Sequence, residues 1–167
     1  MTIPEYLKHY AHDLTLLRIE ENKNRYKGTH KQRTGNINSA LLGYVSREYY
    51  TEYIGILSEL LIRDRLDRDL LCSSYCVSTL LKKTDLASND IDITMVRQGN
   101  ETRLSVKGCE GSMKANKQAI DSEDVDSVVF VIYQDKSNCI FKSYKPKEIM
   151  KWEIKTAFSD YYYKELR

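Results

Sequence analysis

The sequence predicts a single α/β (α+β) domain in which two helical segments precede a set of β-strands. A helical pattern opens the chain, alternation over residues 89–108 indicates a β-hairpin, and the apolar run 127–133 is typical of a strand buried on both faces. A chain of 167 residues is most simply one domain and can bury a core of useful size without disulfides.

The composition indicates a protein without membrane spans or disulfides, but it does not identify a binding partner. The formal net charge of +2 is too small to indicate what the chain binds. No apolar run approaches the roughly 20 residues of a membrane span, and the N-terminus lacks a signal-peptide pattern, so we expect no membrane association. Four scattered cysteines suit a reduced, cytoplasmic protein better than a disulfide scaffold.

A basic segment separates the two predicted helices. Apolar residues at helical spacing predict an amphipathic helix over residues 3–22, with Tyr10 and Leu17 on its apolar face, and a second helical pattern covers residues 39–66. Between them lie five cations without one acid: Lys23, Arg25, Lys27, Lys31 and Arg33. Such a segment is either a solvated loop or an arm that contacts nucleic-acid phosphates.

Glu59 lies at the margin of the apolar face of the second predicted helix, next to Leu60. One interpretation is an i,i+4 ion pair with Arg63 on the helix surface. The other is that Glu59 joins a site whose remaining members come from elsewhere in the fold.

The hairpin has one apolar and one polar face. With Gly99 and Asn100 as the two loop residues, Asp92 pairs with Lys107. Alternation then assigns to the apolar face Ile91, Ile93, Met95, Leu104 and Val106. The polar face receives Asp90, Asp92, Thr94, Ser105 and Lys107.

The elements around the hairpin complete the predicted domain. Residues 75–81 are predicted to form the first strand, and residues 113–120 a short helix that carries Lys114 and Lys117. The buried strand over 127–133 pairs with a strand over 138–144. Pro146 begins a helix over 147–152, and the tyrosines of residues 161–163 dock the end of the chain.

This order of elements resembles the PD-(D/E)xK nuclease-like superfamily, which has the restriction-endonuclease-like fold. In that family a central mixed sheet, here of about five strands flanked by helices, presents an Asp on one strand and an acid-x-Lys on the next. A Glu on the preceding helix often completes the site. The matching residues are Asp92, the run Ser105-Val106-Lys107, and Glu59.

The resemblance also includes three longer sequence runs. It further suggests that the domain has three parts. The runs RLSVKG, DSVVFVIY and YKPKEIM are similar to those of small superfamily members linked to restriction or DNA processing. A helical and basic extension (1–46) would precede a nuclease-like core (47–155), and a C-terminal tail (156–167) would follow it.

The activity that the resemblance implies is hydrolysis of DNA phosphodiesters with Mg²⁺ or Mn²⁺, as in an endonuclease. Asp92 and Glu59 would bind the ion, and Lys107 would orient the water or stabilise charge in the transition state. The basic segment, Lys114 and Lys117 would hold the nucleic-acid backbone. RNA is the second candidate substrate, and a homodimer is a candidate assembly because many nucleases of this type are dimers.

Ser105 departs from the family pattern, because it is a neutral, weak ligand where the family has a carboxylate. A carboxylate from Asp90, Glu101 or Glu110 could replace it, or Asp92 and Glu59 could bind the ion alone and support slow cleavage. The chain could instead be a catalytically inactive relative that binds nucleic acid or a protein. Outside the family, the same face is an exposed hairpin side with an Asp92–Lys107 cross-strand pair.

Overall fold

The computed structural model describes residues 1–25, 47–68, 74–77, 91–97, 99–122, 124–157 and 159–166. Its elements, in chain order, are α1 (Glu5–Arg25), α2 (Arg47–Arg68), β1 (Ser74–Val77), β2 (Ile93–Arg97), β3 (Asn100–Cys109), β4 (Ser112–Asn116), α3 (Lys117–Asp121), β5 (Ser127–Tyr133), β6 (Cys139–Tyr144), α4 (Pro146–Ile149), β7 (Glu153–Thr156) and β8 (Asp160–Glu165). The predicted mixed α/β class is confirmed. None of the helices in these ranges is long and apolar enough to cross a membrane.

The larger of two sheets has the strand order β1-β2-β3-β5-β6. Strands β1, β2 and β3 are antiparallel neighbours, β3 and β5 run parallel, and β5 and β6 form an antiparallel hairpin. The sheet is therefore mixed, as expected. The parallel step requires a crossover between β3 and β5, and this crossover contains β4 and α3.

Helices α1 and α2 cover one face of this sheet. Even-numbered residues of β3, including Leu104 and Val106, join a buried cluster with Leu57 and Leu61 of α2. The buried residues of α1 between positions 5 and 20 are Leu7, Ala11, Leu14, Thr15 and Ile19, whereas Tyr10 and Leu17 are exposed. The predicted apolar face of α1 was thus wrong at Tyr10 and Leu17, because Leu7 and Leu14 belong to two overlapping helical stripes and the packing against α2 selects the other one.

Gly108 lies at a close approach of α2 to β3. A Cβ atom built on Gly108 would stand 2.5 Å from Ile54 Cγ2 and 2.5 Å from Ser58 Oγ, and 3.0 Å from the backbone oxygen of Ile54. One of these atoms is main-chain, so the helix itself would have to move. A glycine at this position sets the distance between the helix layer and the sheet.

We expect Gly108→Ala to lower the free energy of unfolding by about 1–3 kcal/mol, the usual range for overpacking. Gly111→Ala is the matched control, since a Cβ on Gly111 has no neighbour within 4 Å. Urea denaturation of both variants measures the difference. Equal stabilities would show that α2 can shift without loss and would contradict the close-approach argument.

The opposite face of the large sheet is covered by a second sheet rather than by long helices. This sheet has the order β4-β8-β7, and with α3 and α4 it encloses a cluster around Phe130, Met113 and Tyr162. The predicted flanking by helices therefore holds on one face only. Residues 113–120, predicted as one helix, form most of β4 followed by the start of α3, because Met113 and Ala115 alternate into the cluster at a period of two.

The β2–β3 hairpin is present, but its register differs from the prediction by two residues. Arg97 pairs with Asn100 and Ile93 with Leu104, so Gly99 lies in the loop and Asn100 belongs to β3. Gly99 has a φ of 79°, a left-handed conformation that glycine adopts at little cost, and it occupies the second loop position rather than the first. A shift of two residues preserves the two faces of the paired strands, so Ile93, Leu104 and Val106 are buried as predicted. Ile91, which precedes β2, was predicted on the same face but packs against the cluster around Phe130.

Candidate functional site

Asp92 lies at the point where the hydrogen-bonded ladder between β2 and β3 ends. Its backbone N–H donates to the carbonyl oxygen of Leu104 at 2.9 Å, and its Oδ2 accepts the backbone N–H of Val106 at 2.6 Å. The carboxylate thus substitutes for the next main-chain carbonyl of the ladder. Only 8% of Asp92 is exposed, so these contacts hold an acidic group inside the protein.

Ser105 is the second member of the site. Its hydroxyl donates to Asp92 Oδ2 at 3.3 Å, and the residue is 1% exposed. The predicted pairing of Asp92 with Lys107 was wrong, because the two-residue shift of register places Ser105 beside Asp92. The two positions that the resemblance assigns to acidic ligands therefore contact each other, and one of them is a neutral hydroxyl.

Lys107 follows on the same face of β3, two residues beyond Ser105 and half-buried. Its neighbour across the parallel pair is Phe130 of β5. The distance along the strand from Ser105 is about 7 Å, which the long, flexible lysine stem can span. The same face of the sheet therefore carries Asp92, Ser105 and Lys107, with Ser105 opposite Asp92 and Lys107 two residues farther along β3.

Glu59 comes from the other side of the sheet. It is 7% exposed and belongs to α2, the helix that packs against the even-numbered face of β3, whereas Ser105 and Lys107 lie on the odd-numbered face. Within the described ranges, no group of three or more His, Cys, Asp and Glu side chains is arranged to hold a metal ion. The burial of Glu59 distinguishes it from an ordinary surface carboxylate, which stays in water.

The two other described acids that could replace a ligand lie at opposite ends of β3. Glu101 and Glu110 are exposed, and each is roughly 13–17 Å from Ser105 along the strand direction. Glu110 accepts a hydrogen bond from the hydroxyl of Tyr50 on α2. Burial and this hydrogen bond raise the pKa of Tyr50 to about 12. The remaining candidate, Asp90, lies outside the described residues.

The predicted nucleic-acid contacts are only partly within the described ranges. Lys23 and Arg25 fall near the end of α1, and Lys27, Lys31 and Arg33 lie outside the described residues. Lys114 is exposed on β4.

Lys117 begins α3 and forms an ion pair with Asp121. The hydrogen bond to this carboxylate raises the pKa of Lys117, and the pairing offsets its positive charge. Of these two lysines, Lys114 is therefore the better placed to meet a phosphate.

Arg103 is a member of this face that the sequence reasoning did not select. Arg103 comes two residues before Ser105 and four before Lys107, so the alternation of a strand already predicts that it shares their face. Asp126 Oδ2 accepts the backbone N–H of Arg103 at 2.7 Å and its Nε–H at 3.3 Å. Both contacts lower the pKa of Asp126, and the hydrogen bond from the backbone N–H has the larger effect. Together they join the start of β5 to β3, beside the candidate site.

Comparison of the chain with protein-family models, with curated proteins and with solved structures gives no match. A functional assignment therefore depends on the residues and their arrangement alone. That arrangement is a buried Asp92 carboxylate in contact with the serine of a Ser-x-Lys run, on a mixed sheet whose other face packs against the helix that carries the buried Glu59.

Proposed function

We propose that this protein is a phosphodiester hydrolase of restriction-endonuclease-like fold, which cleaves DNA with Mg²⁺ or Mn²⁺. The observation that carries the proposal is the contact between the buried Asp92 carboxylate and Ser105. The order of elements supports it, since α2 is followed by the antiparallel strands β1, β2 and β3 and then by a crossover to the parallel strand β5.

The donor chemistry at the site fits a hard divalent cation only in part. The Asp92 carboxylate is the kind of oxygen ligand that Mg²⁺ prefers, and Mg²⁺ commonly keeps several waters, so one or two carboxylates can hold it. Glu59, the second ligand that the resemblance implies, comes from α2 on the other face of the sheet, so the proposal relies on Asp92. Ser105 adds no charge. The bound ion would act as a Lewis acid and lower the pKa of a water molecule.

Lys107 has a separate role in the proposal. Strand alternation puts its side chain on the same face as Ser105, and the half-burial of the residue weakens screening by water and salt. A cation at this position would orient the attacking water or offset the negative charge that develops on the phosphate.

Lys107→Ala is expected to lower metal-dependent cleavage by about 10²-fold, the effect of removing one group that stabilises transition-state charge. The measurement is the initial rate on plasmid DNA and on a matched RNA with Mg²⁺ and with Mn²⁺. Lys136→Ala, in the exposed turn between β5 and β6, is the control for loss of a positive charge. Equal rates for wild type and Lys107→Ala would remove the catalytic assignment.

One observation favours a second function, that of a catalytically inactive relative of the same fold. Asp92 Oδ2 accepts hydrogen bonds from both Val106 and Ser105. These contacts give the carboxylate a structural role at the end of the β2–β3 ladder that requires no metal ion. Such a relative would bind nucleic acid or a protein partner. DNA binding at low salt without cleavage by any divalent metal would favour this second function over the first.

A further inference from the structure

The second sheet presents two adjacent tyrosines on the face that is turned away from the protein core. On β8, Tyr162 is buried against Met113 and Ala115, whereas Tyr161 and Tyr163 on either side of it are half-buried. Period-two alternation puts these two rings on the opposite face, about 7 Å apart along the strand. We call this face, with Tyr161 and Tyr163 at its centre, the tyrosine face.

A lysine from each neighbouring strand reaches one of these rings. Lys114 Nζ on β4 lies 5.6 Å from the ring centroid of Tyr161, and Lys155 Nζ on β7 lies 3.5 Å from that of Tyr163. In the strand register Lys114 stands opposite Tyr163 and Lys155 opposite Tyr161, so both contacts are diagonal. The two central rings are therefore bracketed by positive charge on both sides.

We propose that the tyrosine face binds single-stranded nucleic acid, with one base stacked on each tyrosine ring and the backbone phosphates held by Lys114 and Lys155. Unpaired bases splay out and stack on aromatic side chains of β-sheets, and this contact tolerates any sequence because every base has a π-face. A duplex hides its base faces and cannot use the rings in this way.

The lysine ammonium groups can exchange a tyrosine ring for a phosphate when single-stranded nucleic acid binds. Lys155 and Tyr163 are half-buried, and a cation–π contact that solvent can still reach is weaker than the stacking of a base on an aromatic ring, so a base can displace the Lys155 ammonium from Tyr163. The flexible stem then allows the ammonium to reach a neighbouring phosphate. Glu153 opposes this attraction, since it stands opposite Tyr163 and lies 3.5 Å from Lys155 Nζ.

The test is the binding of a fluorescent oligothymidylate and an oligouridylate, followed by anisotropy in EDTA so that hydrolysis does not interfere. We expect Tyr161→Ala and Tyr163→Ala each to raise the Kd at least about fivefold. The Phe variants should bind like the wild type, since they keep the ring. Tyr10→Ala, on the exposed side of α1, is the control of the same residue type and should have no effect.

Charge variants test the phosphate contacts. Lys114→Ala should lower the slope of log Kd against log salt by about 0.7, the contribution of one phosphate on a single strand. Glu153→Gln should tighten binding, because it removes a negative charge from the tyrosine face. The wild type should also prefer each single strand to its duplex.

Failure of this proposal is distinguishable from failure of the proposed hydrolase. Asp92→Asn should bind the oligonucleotides like the wild type, because Asp92 is not part of the tyrosine face. Absence of binding at low salt, a preference for duplex, or unchanged affinity in both tyrosine-to-alanine variants would overturn the tyrosine-face proposal. None of these outcomes depends on whether the chain cleaves DNA.

Discussion

Asp92→Asn is expected to lower metal-dependent DNA cleavage by at least about 100-fold while the fold is retained. Asparagine has nearly the shape of aspartate, and its amide oxygen can still accept the hydrogen bonds from Val106 and Ser105. What it loses is the negative charge that a divalent cation requires. Loss of a group that contributes to transition-state electrostatics typically costs about 10²–10³ in rate. Initial rates at saturating Mn²⁺ measure the effect.

The matched control is Asp126→Asn. Both aspartates accept a backbone N–H from β3, at 2.6 Å from Val106 for Asp92 and at 2.7 Å from Arg103 for Asp126. The two variants should therefore lose similar small amounts of stability, and only Asp92→Asn should lose cleavage. Cleavage that falls equally in both variants would mean that the carboxylate of Asp92 serves the fold and not the chemistry.

Ser105→Glu is expected to make the stability of the protein depend on divalent metal. The substitution introduces the acid of the PD-(D/E)xK pattern at a position that is 1% exposed, beside the carboxylate of Asp92. In EDTA a second buried negative charge beside Asp92 costs up to about 3–5 kcal/mol. Mg²⁺ or Mn²⁺ would offset this repulsion by binding both carboxylates, and ligand binding to the native state alone raises its stability.

Thermal unfolding of Ser105→Glu and Ser105→Gln, each with EDTA and with Mn²⁺, separates charge from size. Both side chains overfill the site equally, so the difference between them isolates the carboxylate. We expect Mn²⁺ to raise the Tm of the Glu variant much more than that of the Gln variant. In EDTA the Glu variant should gain stability as the pH falls, because the neighbouring charge raises the pKa of one carboxyl group and protonation removes the repulsion. If metal stabilised both variants equally, the two-carboxylate site would be wrong.

Much of the fold follows from local patterns that packing does not change. The continuous apolar run of residues 127–133 became β5, which is covered on both faces, and residues 138–144 contain β6, its hairpin partner. The second sheet was missed for a physical reason. Its strands are short, and β7 alternates only weakly. The β7–β8 pair is a local hairpin, but the pairing of β8 with β4, which makes the sheet three-stranded, joins residues about 50 positions apart in the sequence.

For the candidate site, the sequence by itself determined the faces of the hairpin and the residue types on them. Alternation at a period of two assigns Ile93, Leu104 and Val106 to the core and Ser105 and Lys107 to the opposite face, and a register shift of two residues leaves that assignment unchanged. Only the tertiary structure decided the register itself, through the left-handed Gly99 and the packing of β3 against α2. The observed register differs from the predicted one by two residues, which is the spacing between Ser105 and Lys107. The fold therefore decided that Asp92 contacts the serine and not the lysine.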